Sequence, residues 1–221
     1  MKVELISYSQ QPEGCRCDGK SLQDIIAFCA RVSNPSNQNN TETNEKLIRY
    51  LLKNKHWSPM EMASICLEIT TTRDIARQIL RHRSFSFQEF SQRYADPTKD
   101  LKFETKEARL QDTKNRQNSI VTDNQELKDN WQTYQQEIIQ ITKKAYQWAI
   151  ENGIAKEQAR AVLPEGMTES RLYMSGTVRS WIHYIDLRSG NGTQKEHRDV
   201  AIDCAKAIEP IFPMIMEFVH E

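Results

Sequence analysis

Apolar residues recur along this chain in two rhythms, and the rhythm changes several times. Residues 2–8 read as a short strand. Ser21 then opens a helix, with Asp24 as its reciprocal capping partner and Leu22, Ile25, Ile26 and Cys29 as the apolar stripe. The stretch 33–43 is rich in Ser, Asn, Pro, Gln and Thr and reads as a loop. Leu47, Ile48, Leu51 and Leu52 mark a second helix. Ser58-Pro59-Met60-Glu61 has the form of a capping box with proline at the first helical position. The period then drops to two, because Ile65, Leu67 and Ile69 alternate with Cys66, Glu68 and Thr70, which predicts a half-buried strand. Thr71 and Asp74 cap the next helix, which carries Ile75, Ala76, Ile79 and Leu80.

The second half is dominated by one long pattern. Residues 96–122 are polar and irregular and predict a disordered or mobile tip. Leu127, Trp131, Tyr134, Ile138, Ile141, Ala145 and Trp148 then advance by fours and threes, and Asn152-Gly153 closes the run. That spacing predicts one long amphipathic helix suited to packing on another helix, within the subunit or across a subunit boundary. A short helix is predicted over about 155–163, stopping before Pro164. Residues 169–176 read as extended, 177–188 as helical, and 194–218 as helical with breaks at Pro210 and Pro213. Strands and helices mix without regular alternation, and no repeat occurs. The class is therefore α+β: one domain over residues 1–221, with a mixed or antiparallel sheet flanked by helices.

Composition narrows the function. Thirty basic and thirty acidic residues give zero formal net charge, which disfavours a dedicated binder of polymeric nucleic acid. No apolar run reaches membrane-spanning length, and Glu4 interrupts the first apolar residues, so neither an anchor nor a secretory leader is expected. The five cysteines lack C-x-x-C spacing and fit a reducing, cytoplasmic setting. Cys29, Cys66 and Cys204 read as buried structural thiols. His183 and His197 stand too far from other ligands to predict a metal site. No P-loop or Rossmann glycine pattern occurs.

The densest chemistry lies at Arg81-His82-Arg83-Ser84-Phe85-Ser86-Phe87-Gln88-Glu89-Phe90-Ser91-Gln92-Arg93-Tyr94. From Arg73 to Tyr94 there are five arginines, no lysine, and only Asp74 and Glu89 as acids. Arginine without lysine suits bidentate recognition of phosphate or carboxylate. Three readings share this composition: an arginine-rich helix end over an aromatic core, a nucleotide-like anion site, or a single-strand binding surface. Zero net charge weighs against the last. A second group of arginines follows at Arg160, Arg171, Arg179 and Arg188, the last beside a glycine-containing loop.

Arg81-His82-Arg83, seven residues and then Ser91 resembles the signature of the flavin-dependent thymidylate synthases. The similarity extends through Arg93-Tyr94, His56-Trp57-Ser58-Pro59-Met60-Glu61, Ala76-Arg77-Gln78, Ala159 to Pro164, Arg179-Ser180, Asp186-Leu187-Arg188, Gln194 and Glu196. The resemblance implies reductive methylation of deoxyuridine monophosphate (dUMP) to deoxythymidine monophosphate (dTMP). It implies methylenetetrahydrofolate as carbon donor, NADPH as reductant and bound FAD as cofactor, in a homotetramer with active sites shared between subunits. It places Ser58, Arg81, His82, Arg83, Glu89, Thr177, Val178, Arg179 and His183 at the flavin. It places Gln78, Ile79, Leu80, Arg81, Ser91, Gln92, Arg93, Arg160 and Arg188 at the nucleotide. Arg188 would activate the uracil electrostatically, without a covalent nucleophile or a metal. Gln88, His183 and Gly192 depart from residues common in the family at those positions.

Overall fold

The two-residue alternation of Ile65, Leu67 and Ile69 builds the middle of a four-stranded sheet. The protein is described by a computed structural model over residues 1–220, so the last residue of the expected domain lies outside the described residues. Strand β1 (Lys2–Tyr8) is followed by helices α1 (Leu22–Ala30) and α2 (Asn44–Lys53). A 3-10 turn at Ser58–Glu61 leads into β2 (Ser64–Thr72), α3 (Arg73–Ile79) and β3 (Ser86–Glu89). Next come α4 (Pro97–Asp100), the β4 (Arg109–Gln111) and β5 (Ser119–Val121) hairpin, and α5 (Gln125–Glu151). The chain ends through α6 (Lys156–Ala159), β6 (Glu169–Thr177), α7 (Val178–Ser189), α8 (Lys195–Ile208) and a 3-10 segment at Pro213–Phe218.

The sheet order is β1-β2-β6-β3, and every pairing is antiparallel. Of the two expected sheet types, the structure is therefore the antiparallel one, and the class is α+β. Leu67 opposes Met174, and Ile69 opposes Leu172. This buried sheet face packs on Trp181, Ile182 and Ile185 of α7 and on Val200, Cys204 and Ile208 of α8. Leu22 and Ile26 of α1 and Ile48 of α2 complete the core.

Several local expectations hold in atomic detail. Ser21 and Asp24 form the reciprocal capping box. The Gly153 N–H bonds Ile150 O and the Ile154 N–H bonds Ala149 O, closing α5 with glycine at a φ of 78°.

Other expectations are corrected. The 3-10 turn at Ser58 carries no side-chain cap, because the Glu61 carboxylate goes to Arg179 instead. Strand β2 runs on through Thr72, so the helix start moves one residue beyond Thr71, and no side chain caps it. The predicted 155–163 helix is a single turn of α-helix followed by a 3-10 turn at Arg160–Val162. The stretch 96–122 holds structured elements. The Asp96 carboxylate caps α4 through Thr98 N–H, and Asp112 accepts the Lys114 and Asn115 N–H groups in the hairpin turn. Strand β3, inside the arginine-rich signature, has no counterpart in the periodicity reading. Of the three thiols expected inside, Cys204 is buried, whereas Cys29 and Cys66 are half-buried.

Helix α5 exists with its predicted length, but the apolar stripe points outward. The helix turns Gln135, Ile139, Thr142, Tyr146 and Ala149 to the protomer. Tyr134, Ile141 and Trp148 are 62%, 67% and 61% exposed, and Leu127, Trp131 and Ile138 share that face. The buried Gln135 is satisfied because its amide accepts from the Lys106 N–H and donates to Lys106 O.

Candidate active site

Helix α3 runs out at Ile79, and the chain leaves it through turns. The Arg81 N–H reaches Gln78 O and the His82 N–H reaches Ile79 O, so the Arg81-His82-Arg83 triplet lies just past a helix C-terminus. Arg81 and Arg83 are exposed. Neither makes an ion pair among the described residues. His82 turns inward and lies edge-on to Tyr184, with ring centroids 4.9 Å apart.

Arg188, in the last turn of α7, donates its Nε–H to His82 Nε2 at 3.0 Å. Burial, reinforced by the charges of Arg188 and Arg81, pushes the His82 imidazole down to about 4. The ring is neutral near pH 7, so its Nε2 lone pair is available to the guanidinium. Arg188 is half-buried and has no carboxylate partner among the described residues. Its position at a helix C-terminus also suits a cation.

A partly buried polar chain continues from this pair. His197, on α8, lies between the Tyr184 hydroxyl and the Gln78 carboxamide, at 3.1 and 3.2 Å. The Gln78 nitrogen donates to Gln194 Oε1 at 2.8 Å, and the Gln194 nitrogen donates to Glu196 Oε2 at 2.9 Å. Arg109 of β4 closes the chain on the other Glu196 oxygen. Burial opposes ionisation of Glu196, but hydrogen bonds from Arg109, its own N–H and Gln194 outweigh it and lower its pKa.

The remaining predicted residues fall into separate groups. Glu89 on β3 accepts from Ser170 Oγ at 2.7 Å and faces Arg73 and Arg77 at 3.7 and 3.4 Å. Ser58 is exposed beside a cleft of about 470 Å³ that also touches Arg16, Phe28 and Cys29. Arg179 pairs with Glu61 at 2.6 Å. His183 packs edge-on against Trp57, with centroids 4.8 Å apart. Thr177 caps α7 by accepting the Ser180 N–H. Val178 is buried in the core, and its N–H bonds Ala63 O. Ile79 is buried and Leu80 half-buried, so these two offer backbone rather than side chain.

Arg93 and Arg160 converge on Glu157. Arg93 pairs with its carboxylate at 3.3 Å, and Arg160 donates to its backbone oxygen at 3.2 Å. The Ser91 hydroxyl accepts the Arg93 N–H at 3.4 Å. Gln92 is buried, and its amide nitrogen has no partner among the described residues. Among the described residues, no hydrogen bond or ion pair joins this second group to Arg188.

The chain matches the family model described as "Thymidylate synthase complementing protein" over residues 19–214. It is 49% identical over 195 residues to a protein of Paramecium bursaria Chlorella virus 1 named "Probable flavin-dependent thymidylate synthase", covering 88% of this chain and 89% of that one. It is 48% identical over 217 residues to a Synechocystis protein named "Flavin-dependent thymidylate synthase", covering 97% of each. The chain belongs to the flavin-dependent thymidylate synthase family. A third member, from Kosmotoga olearia, is 32% identical over 188 residues, covering 85% of this chain and 81% of its own.

The donor set suits such a synthase. Two exposed guanidiniums free of carboxylates, Arg81 and Arg83, match the charge of a phosphate-bearing cofactor. The unpartnered Gln92 amide nitrogen is a buried donor that a ligand oxygen would satisfy. Sequence reasoning missed His197, Tyr184 and Arg109 as members of the polar chain that runs from His82 and Arg188. Spacing along the chain held no signal for them, since His197 meets Gln78 across 119 residues.

Proposed function

We propose that the protein reductively methylates dUMP to dTMP, with methylenetetrahydrofolate as carbon donor, NADPH as reductant and FAD as bound cofactor. The observation that carries this reading is the Arg188–His82 pair. A guanidinium whose Nε–H goes to a neutral imidazole keeps its full charge and both terminal amino groups for a ligand. Against a uracil ring, it favours negative charge at N3 and the flanking carbonyls. Such activation needs no covalent nucleophile, and no titratable base hydrogen-bonds the Ser91 hydroxyl among the described residues.

FAD supplies the hydride chemistry when bound. On this reading Arg81 and Arg83 receive its phosphates. Ser58, His82, Glu89, Thr177, Arg179 and His183 surround it, and Val178 contributes backbone alone. The turn Gln78-Ile79-Leu80-Arg81 lies along the nucleotide. Ser91, Gln92, Arg93 and Arg160 take its phosphate, Arg93 exchanging Glu157 for the anion.

The separation of the Arg93–Arg160 group from Arg188 supports a site completed between subunits. So does α5, whose 4-3 apolar spacing is unspent within the protomer. We therefore read the assembly as the homotetramer that the family resemblance implies. No described helix is long and apolar enough to cross a membrane, and the five cysteines are free thiols. Both fit the cytoplasmic setting proposed here.

Arg188→Ala tests the reading. Turnover should fall by about two to three orders of magnitude, the loss usual for one charge-stabilising donor, while the flavin absorbance of the purified protein persists. Turnover near wild type would remove Arg188 from this role.

A further inference from the structure

His197 has no exposed surface, and among the described residues no carboxylate bonds its ring. Burial and the charges of Arg188 and His82 push it down to about 3, so it is neutral near pH 7. Its tautomer and the flip of every amide around it follow from one end of the chain. Glu196 is paired with Arg109 and accepts only, so the Gln194 group facing it is the nitrogen. Gln194 therefore presents its oxygen to Gln78, and Gln78 answers with its nitrogen. The Gln78 oxygen then faces His197, whose Nδ1 must carry the proton. The His197 Nε2 lone pair is left to accept from the Tyr184 hydroxyl.

Every donor thus points the same way, from Tyr184 through His197, Gln78 and Gln194 to Glu196. Elements α3, α7 and α8 contribute to it, and Arg109 of the hairpin strand β4 anchors its end at Glu196. Gln78 retains one amide hydrogen and one oxygen lone pair beyond those bonds. Without His197 the Gln78 oxygen loses its donor, the bond to Gln194 alone holds the carboxamide, and the side chain gains freedom that nucleotide binding would have to remove.

We propose that His197 is a positioning residue that, by holding the oxygen end of the Gln78 carboxamide while Gln194 holds its nitrogen, fixes this group for dUMP. The inference rests on the reading that Gln78 faces the nucleotide. His197 does not touch the reacting atoms. It acts through Gln78, and so on substrate binding before turnover.

The test compares three variants of the FAD-loaded protein by equilibrium titration with dUMP and by steady-state kinetics. In His197→Asn, the side-chain nitrogen overlays Nδ1, so the donor to Gln78 is kept and the Tyr184 contact is lost. His197→Gln places its amide near the Nε2 position, and His197→Phe fills the space with no donor. The dUMP dissociation constant should stay within about threefold of wild type for Asn. It should rise about tenfold or more for Gln and Phe, as expected when a buried bond is lost. KM for dUMP should follow the same order, with kcat changing less. If the folded Phe variant binds dUMP as wild type does, His197 is packing alone and the proposal fails. If wild type itself binds no dUMP while retaining FAD, the functional reading fails instead.

Discussion

An imidazole serves a neighbouring guanidinium only while it is neutral. Burial first, and then nearby positive charge, hold His82 down to about 4 and His197 down to about 3. In the unfolded chain both rings protonate near the ordinary value of about 6.5. Between those values the unfolded state binds more protons, so stability is complete above pH 6.5 and is lost as pH falls toward 4 and then 3. For the fully buried His197 alone, the loss by pH 4.5 amounts to about 2–3 kcal/mol. Urea unfolding at pH 7 and pH 4.5 should show this loss in wild type and a shallower one in His197→Asn. Identical pH slopes would contradict the neutral buried ring. At this scale the arginines were legible, because bare arginine among aromatics in sequence already suggests an anion. The histidines were not, since their roles come from partners brought together by folding. Glu89 shows the reverse case: it sits within the signature, yet Arg73, Arg77 and Ser170 engage it.

A helix pattern gives the period of an apolar stripe but not what covers it. The 4-3 spacing from Leu127 to Trp148 predicts one long helix, and α5 spans 27 residues, about 40 Å. The protomer takes the opposite face, because Gln135 is held by the Lys106 backbone and Tyr146, Ala149, Ala159 and Leu163 form a small separate core. The stripe is therefore available to another copy. Ile138→Glu should leave the helical signal and the protomer fold intact while sedimentation shows a smaller species. An unchanged mass would mean that this face is not the interface. The β4–β5 hairpin escaped the reading for a related reason: most of its strand residues are exposed, so burial imposes no alternation on them. Strand β3 is four residues long and lies where arginines and phenylalanines suggested chemistry before structure.

Across the whole molecule, one antiparallel sheet and the two helices packed on its buried face set the site. Strand β6 runs directly into α7, and α3 follows directly on β2, the strand beside β6. The triplet after α3 and Arg188 at the end of α7 thereby meet across 106 residues. The α+β class and most elements could be read from periodicity, and the order of motifs suggested the family. The meeting of the two arginine regions could not be read this way, because it depends on how the sheet is threaded. On the function proposed above, this geometry turns dUMP into dTMP with electrons from a bound flavin. The direct measurement is the absorption spectrum of the FAD-loaded protein, reduced anaerobically and then mixed with dUMP and methylenetetrahydrofolate. Return of the oxidised flavin bands together with formation of dTMP is the predicted result. A flavin that stays reduced without dTMP, or a protein that binds no FAD, would contradict it.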